Sequence, residues 1–434
     1  MRQTLTLPAM VAVCLSPAVL ICDRASAQDR TPFLQSDIPF DYSRGRNVGV
    51  LERARPEFSS EGILVGSLSV RGALQVNGVY DSNVYVQPEN EHADGGVLIS
   101  PSIGVNTNWS RNALFIGGDA DILRYANADL RAENGWSART GGNFQLGLYS
   151  KLTADARISK EYDSRLSPGT PNGIISSIGF RRNVGRLSYE FQKGRIRLIG
   201  AGNYTTLAYG STVDEEGVRR EQSSRDRREV RAIGQAEYAL SPDTSLFTQL
   251  TYINTEYDTP VGLNPNRDSS SVRALAGISF DITELMRGKI GGGYLTRDYK
   301  SPLYSDLRNF SLEARVEWFP TPLTTVTLNA ERAVQDSVVS VSGGFLRTSA
   351  DVRVDHELLR NLLLNATASY AYANYGGIAA TSRIQRYTTG ARYLVNPRWS
   401  LNTSVEYSKR NNSGAFRLPE FSQFYATLGI SAAL

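Results

Sequence analysis

Cysteine occurs at two positions only, Cys14 and Cys22, both within the first 27 of 434 residues. Residues 1–27 read as a secretory signal peptide: Arg2 gives a basic start, Leu5 to Cys22 the apolar run, and Ala25-Ser26-Ala27 a small-residue cleavage site. Pro8 and Pro17 interrupt that run, which argues against a membrane anchor, and Val13 and Ile21 ahead of the cysteines argue against a lipoprotein site. A mature chain from Gln28 then carries no thiol, which excludes disulfides, thiolate nucleophiles and Cys-based metal centres. Histidine is almost as scarce, with His92 and His356 alone, so neither a His-based metal site nor a cofactor is expected. Beyond the signal no stretch approaches the roughly 18 apolar residues that a spanning helix needs. An excess of one charge is missing too. Removing residues 1–27 leaves 45 basic against 42 acidic residues, net +3, which speaks against a nucleic-acid partner.

What the chain does have is alternation. In Leu346 to Asp355, Leu346, Thr348, Ala350, Val352 and Val354 share one parity, and Arg347, Ser349, Asp351, Arg353 and Asp355 share the other. Side chains alternate faces along a strand, so one face is apolar and the other charged. About eighteen such segments follow one another from 64–85 to 421–434. Phe310-Leu312-Ala314-Val316-Trp318 and Trp399-Leu401-Thr403-Val405-Tyr407 are among the clearest. The pattern is weakest over 269–283 and 288–300, where Gly291-Gly292-Gly293 blurs it. Short connections such as Pro320-Thr321-Pro322 alternate with long ones such as 211–226, the beat of a membrane barrel with tight periplasmic turns and longer external loops.

The expected fold is all-β: a transmembrane antiparallel up-and-down β-barrel of about 18 strands over 63–434, with both termini periplasmic, in a Gram-negative outer membrane. Residues 28–62, polar and punctuated by Pro32, Pro39 and Pro56, read as a periplasmic leader, extended or disordered, with a plug inside the pore as the alternative. Aromatic residues fall near strand ends and predict two interfacial girdles. Trp109, Tyr149, Trp318, Phe319 and Trp399 would form one, and Tyr80, Tyr125, Tyr162, Tyr209, Tyr257, Tyr299 and Tyr375 the other.

With this many strands the bore is an aqueous channel. The inward parity predicts a lining of Arg139, Asp155, Arg157, Arg195, Arg197, Arg231, Glu237, Glu313, Arg315, Glu317, Glu331, Arg347, Asp351, Arg353, Arg386, Arg392 and Glu406. Acids and bases interleave, so the lumen is hydrated and weakly selective by charge. Guanidinium forks suit carboxylates and hydroxyls, hence an acidic or hydroxylated polymer; the plainer reading is that these arginines pair across strands and hold the wall together. No catalytic residues are expected. His92 lies in an acidic loop and His356 at a strand end, neither with a serine in a nucleophile setting. Asp214-Glu215-Glu216 with Arg219, Arg220, Arg225, Arg227 and Arg228 reads as a solvated loop, with a lipopolysaccharide contact as the alternative.

Several stretches carry a resemblance. Glu52-Arg53-Ala54-Arg55-Pro56-Glu57-Phe58 followed by Gly62 and Gly66-Ser67, then Tyr80-Asp81-Ser82-Asn83-Val84-Tyr85, resemble the start of the β-barrel porin 2 family of outer-membrane proteins. Tyr238 to Leu246 (YALSPDTSL) and Trp318 to Thr325 (WFPTPLTT) are similar to later family segments. The family has Tyr where this chain has Phe58. The resemblance spans about residues 50–434 and implies a porin-like barrel encoded beside exopolysaccharide or capsule machinery. It would pass polysaccharide passively, some members acting with a periplasmic polysaccharide-export protein. A general or solute-specific diffusion porin is the alternative, and an outer-membrane barrel enzyme the second.

Overall fold

A computed structural model describes residues 42, 43, 45, 47–164, 173–260, 265–283, 285–337, 342–414 and 420–434. Its architecture is a single sheet of long antiparallel strands closed into a barrel. The first six are β1 (Leu68–Asp81), β2 (Asp94–Thr107), β3 (Ala113–Tyr125), β4 (Glu133–Gln145), β5 (Ser150–Tyr162) and β6 (Gly179–Lys193). Next come β7 (Ile196–Tyr209), β8 (Arg227–Ser241), β9 (Thr244–Tyr257), β10 (Ser269–Ile282), β11 (Met286–Tyr299) and β12 (Leu307–Thr321). The last six are β13 (Thr324–Asp336), β14 (Gly344–Leu359), β15 (Leu362–Tyr375), β16 (Ala380–Leu394), β17 (Trp399–Gly414) and β18 (Phe421–Ala433). Each pairs with its neighbours in sequence, and β18 returns to β1 from Asp81↔Tyr425 to Ala73↔Ala433. That last ladder supplies the physical requirement for a sheet in hydrocarbon, since a closed ring pairs its backbone donors and acceptors without an edge. A short piece, Ile63–Val65, folds back on the start of β1.

Strict parity sorts the side chains. On β8, Arg227, Glu229, Arg231, Ile233, Gln235 and Glu237 are buried on the inner face, while Val230, Ala232, Ala236 and Tyr238 are exposed on the outer one. Outward Val230 is 47% exposed and Leu250 56%, whereas inward Arg231 is 6% exposed. A soluble protein does not show water so much apolar surface and bury so much charge; a lipid-embedded barrel does both. Arg347, Arg353 and Glu313 all lie on the inward parity, on β14 and β12.

The two segments of blurred alternation have a packing cause. The ring of Phe247, inward on β9, lies over Gly277 and Gly291. A Cβ at Gly291 would stand 2.7 Å from the ring, and one at Gly277 would meet the Ile290 carbonyl at 2.0 Å. Glycine gives up its share of the alternation there to admit the aromatic ring.

The girdles differ from expectation at both rims, most at the long-loop one. Trp109, Tyr149, Trp318 and Trp399 are exposed at the short-turn rim, but Phe319 is buried inside, beneath the Arg287 guanidinium at 5.2 Å. At the long-loop rim Tyr80 faces outward, whereas Tyr125, Tyr257, Tyr299 and Tyr375 are buried. These four share the parity of the charged lining, so their strands turn them toward the bore. Outward aromatics that were not expected as anchors include Trp136, Tyr204, Tyr252, Tyr294, Phe310 and Tyr387.

Candidate functional site

The bore is lined by carboxylates and guanidinium groups paired two residues apart along one strand or across neighbouring strands. Arg287 on β11 donates to Glu317 on β12 at 2.6 Å, and Arg315 donates to the same carboxylate at 2.9 Å. Arg273 is bonded to Glu313. Arg231 pairs with Glu229 at 2.9 Å, Arg353 with Asp355 at 3.0 Å and Arg386 with Glu406 at 3.2 Å. Across β6, β7 and β8, Arg197 bridges Glu190 at 2.7 Å and Glu237 at 3.5 Å. Asn329 donates to Asp351 at 2.8 Å, and Arg392 donates to Asn402 at 2.9 Å. On the opposite wall Arg139 stands directly across from Arg157, which reaches Glu161 at 3.6 Å, and Asp155 stands across from Arg186.

Both mouths are narrowed. At the short-turn mouth, residues 47–55 run along the inner wall of β10–β14, and 56–58 continue out of the barrel. The Val50 N–H donates to Thr325 Oγ1 at 2.9 Å, and Arg287 donates to the Glu52 carboxylate at 2.7 Å and to the Asn47 carbonyl at 3.1 Å. Arg55 and Arg53 both donate to Glu357 Oε2, at 2.6 and 3.0 Å. Outside the barrel Arg360 donates to Glu57 at 2.6 Å. That bond is the main cause holding the Glu57 carboxyl below the usual glutamate range. Tyr42 donates to Glu317 at 2.9 Å, and burial pushes its hydroxyl pKa up. Val50 at the centre of the segment is fully buried.

At the long-loop mouth the wall overlaps itself. β12 and β13 pair only as far as Leu312↔Arg332, while β13 and β14 stay paired to Asp336↔Gly344. The freed end of β13–β14 curls into the bore, so Val334 and Leu346 from its outer face pack on Leu295, Tyr299 and Leu307 of the inner wall. Asp336 then lies 3.3 Å from Arg227 and bonds Arg297, and Arg267 donates to the Ser337 carbonyl. Inward tyrosines floor this cluster, with Arg267 4.6 Å from the Tyr257 ring and Arg297 5.3 Å from Tyr299.

Against the inner wall of β11–β16, beside residues 49–52, lies a chamber of about 510 Å³. Its wall carries five guanidinium groups (Arg287, Arg315, Arg347, Arg353, Arg386) and five carboxylates (Glu52, Glu317, Glu331, Asp351, Asp355), set among Thr325, Thr327, Thr367, Thr388, Ser349 and Ser369. In formal charge the ten groups balance five to five, and the lining offers many hydrogen bonds.

Seven of the lining residues expected from the sequence meet in this chamber: Arg315, Glu317, Glu331, Arg347, Asp351, Arg353 and Arg386. Arg195 stands instead in the exposed turn between β6 and β7, because β7 begins one residue later. Sequence reasoning missed Arg273, Arg287 and Arg297, which sit on the glycine-blurred strands. Counting parity through the glycines would have found them. It missed Asp336 because β13 leaves the wall there, and no strand pattern signals that departure. The two histidines occupy opposite rims: His92 stacks on Tyr85 at 5.6 Å, and His356 Nδ1 is 3.0 Å from Thr324 Oγ1.

A family model described as "Putative beta-barrel porin 2" matches residues 55–430. Among curated proteins none matches the chain. Similar solved structures include the outer membrane protein OpdK from Pseudomonas aeruginosa, with 11% identity, a TM-score of 0.45, and coverage of 84% of this chain and 99% of that one. The FrpB iron transporter from Neisseria meningitidis has 9% identity and a TM-score of 0.45; the match covers 80% of this chain and 63% of FrpB. The siderophore receptor PirA from Pseudomonas aeruginosa has 7% identity and a TM-score of 0.44, covering 84% and 80%.

Proposed function

The chain belongs to the β-barrel porin 2 family of outer-membrane barrels, and from that premise we propose that it is a passive conduit for a secreted polysaccharide. The observation that carries this reading is the chamber lining, balanced in charge and rich in hydroxyls. A sugar chain sliding through it exchanges weak polar contacts for equivalent ones at each step. Cations and carboxylates alternate along its path, and the hydroxyls and amides between them keep the sugar hydrogen-bonded as it moves. In this account the short-turn rim faces the periplasm, where residues 47–58 would yield to an incoming chain or to a periplasmic export protein. The driving force comes from the machinery that makes the polymer. The test is deletion of the gene in its own host, with exported polymer assayed outside the cell: loss of polymer with unchanged small-solute uptake supports the reading, and undiminished export ends it.

A solute-specific diffusion porin is the second reading. Its support is the size of the chamber, which with both mouths narrowed falls in the range of small-molecule sites, roughly 300–1,000 Å³. Under that reading the deletion strain exports polymer normally and loses uptake of a hydroxylated solute.

A further inference from the structure

Among the described residues, the outer wall carries a basic array that its own carboxylates do not answer. Lys160 on β5 and Arg181 on β6 face outward and stand directly opposite each other in the register. Like charges in that position repel. Their other cross-strand neighbours are Trp136 and Ala208, both neutral. Arg124 on β3 joins the array: it donates to the Asn134 side chain at 2.6 Å, and the Asn134 N–H donates to the Tyr162 hydroxyl at 3.0 Å. Lys160 Nζ lies 5.4 Å from the centre of that same tyrosine ring.

Elsewhere on this rim the outward cations of β8–β12 are matched. Arg228 lies 3.5 Å from Asp258, and Arg308 lies 3.6 Å from Asp298. The loop arginines, which suggested a lipid contact on sequence grounds, are matched as well: Arg219 with Glu221 at 3.1 Å, Arg220 with Asp214 at 2.6 Å and Arg225 with Asp163 at 2.6 Å. Among the described residues of β3–β12 at this rim, the outward cations without a carboxylate are therefore Arg124, Lys160 and Arg181.

Directly along the same strands runs an apolar groove of about 740 Å³. It is floored by small residues, Ala154, Ala156, Gly185 and Gly202, and flanked by Leu187 and Tyr204. Ala156 and Gly185 each lie four residues toward the short-turn rim from Lys160 and Arg181, a distance of about 13 Å along a strand. Cations at the rim with an apolar trough below them are complementary to one kind of molecule. We propose that the outer face of β4–β7 binds a phosphorylated lipid, with its phosphate between Lys160 and Arg181 and an acyl chain in the groove. The phosphate removes the repulsion between the two opposed cations, and the chain fills a hollow that the barrel leaves in its lipid-facing surface. This site is independent of what passes through the bore.

The test uses the full-length barrel in a zwitterionic detergent, read by native mass spectrometry, with diphosphorylated lipid A, the same lipid dephosphorylated, and inorganic phosphate as probes. The wild type should retain the phosphorylated lipid, and Lys160→Ala/Arg181→Ala should weaken that retention by roughly tenfold or more, as expected for lost charge-assisted bonds. Ala156→Trp, which fills the groove, should weaken it also, and Arg228→Ala, whose charge is already matched, should not. Thermal unfolding supplies a second measurement: Lys160→Ala should raise the midpoint in lipid-free detergent and lower it when lipid A is present. Equal retention of the dephosphorylated lipid, equal binding by inorganic phosphate, or a wild-type dimer dissociated by Ala156→Trp would each overturn the proposal, the last by placing a second copy on this face.

Discussion

Glu357→Gln should open the short-turn mouth. Glu357 receives Arg55 at 2.6 Å and Arg53 at 3.0 Å, and the side chains of Arg55 and Glu357 are 6% and 5% exposed. Neutralising the carboxylate leaves Arg55 buried beside an amide, a change of about 3 kcal/mol for a buried pair broken on one side. The partly exposed Arg53 contact adds about 0.5 kcal/mol. The sum shifts the ratio of released to docked segment by two to three orders of magnitude, since about 1.4 kcal/mol is tenfold. The assay is single-channel conductance in planar bilayers at about 0.1 M salt, where the Debye length of about 10 Å leaves the ion pairs unscreened. Wild-type protein should show a low conductance with rare large openings, and Glu357→Gln should occupy the large level most of the time. Excising residues 47–59 should give that same level permanently. If the variant, the excision and the wild type share one conductance histogram, residues 47–58 do not obstruct the pore and the reasoning fails.

Three further outcomes follow from the same geometry. The Glu57 pKa is held down by Arg360, so its contribution to docking is complete above the usual glutamate value and is lost as pH falls through the depressed one. Cleavage within residues 47–58 by an acid-active protease such as pepsin, normalised at each pH to its rate on an unstructured peptide of the same sequence, should therefore rise with acidity; a pH-independent normalised rate would contradict this. Asp336→Asn strips the carboxylate from Arg227 and Arg297. It should loosen the in-curled end of β13–β14 at a cost of about 3–5 kcal/mol, seen as noisier and larger conductance with a lower thermal midpoint. Arg347→Glu breaks the five-to-five charge balance of the chamber by two units. The reversal potential in a potassium chloride gradient should move from near zero toward cation selectivity, and an unmoved potential would place the selective region elsewhere.

Much of the barrel was legible because parity is a local signal. Leu346 to Asp355 announces both faces of β14, and Trp399 to Tyr407 does the same for β17. Closure was legible only as a necessity, since nothing in β1 or β18 alone specifies that Asp81 meets Tyr425. What stayed hidden depends on the third dimension. Tyr257 and Tyr299 resemble interface anchors by position, yet they share the inward parity and serve as platforms for Arg267 and Arg297. Phe247 on Gly277 and Gly291 is a packing decision across three strands, and it appears in the sequence only as lost alternation. The curl that carries Asp336 into the bore depends on β12 and β13 parting at Leu312↔Arg332, where the residue pattern does not change.

The absence of cysteine after Cys22 permits a direct trial of the conduit. Arg353→Cys places a single thiol on the chamber wall, and Val352→Cys places one on the lipid face of the same strand. In cells carrying one or the other in place of the wild type, exported polymer is measured before and after treatment with a bulky water-soluble maleimide. The account predicts that export stops in Arg353→Cys cells and continues in Val352→Cys cells. Undiminished export from Arg353→Cys cells whose thiol is shown to be fully modified would mean that the polymer does not travel through this bore.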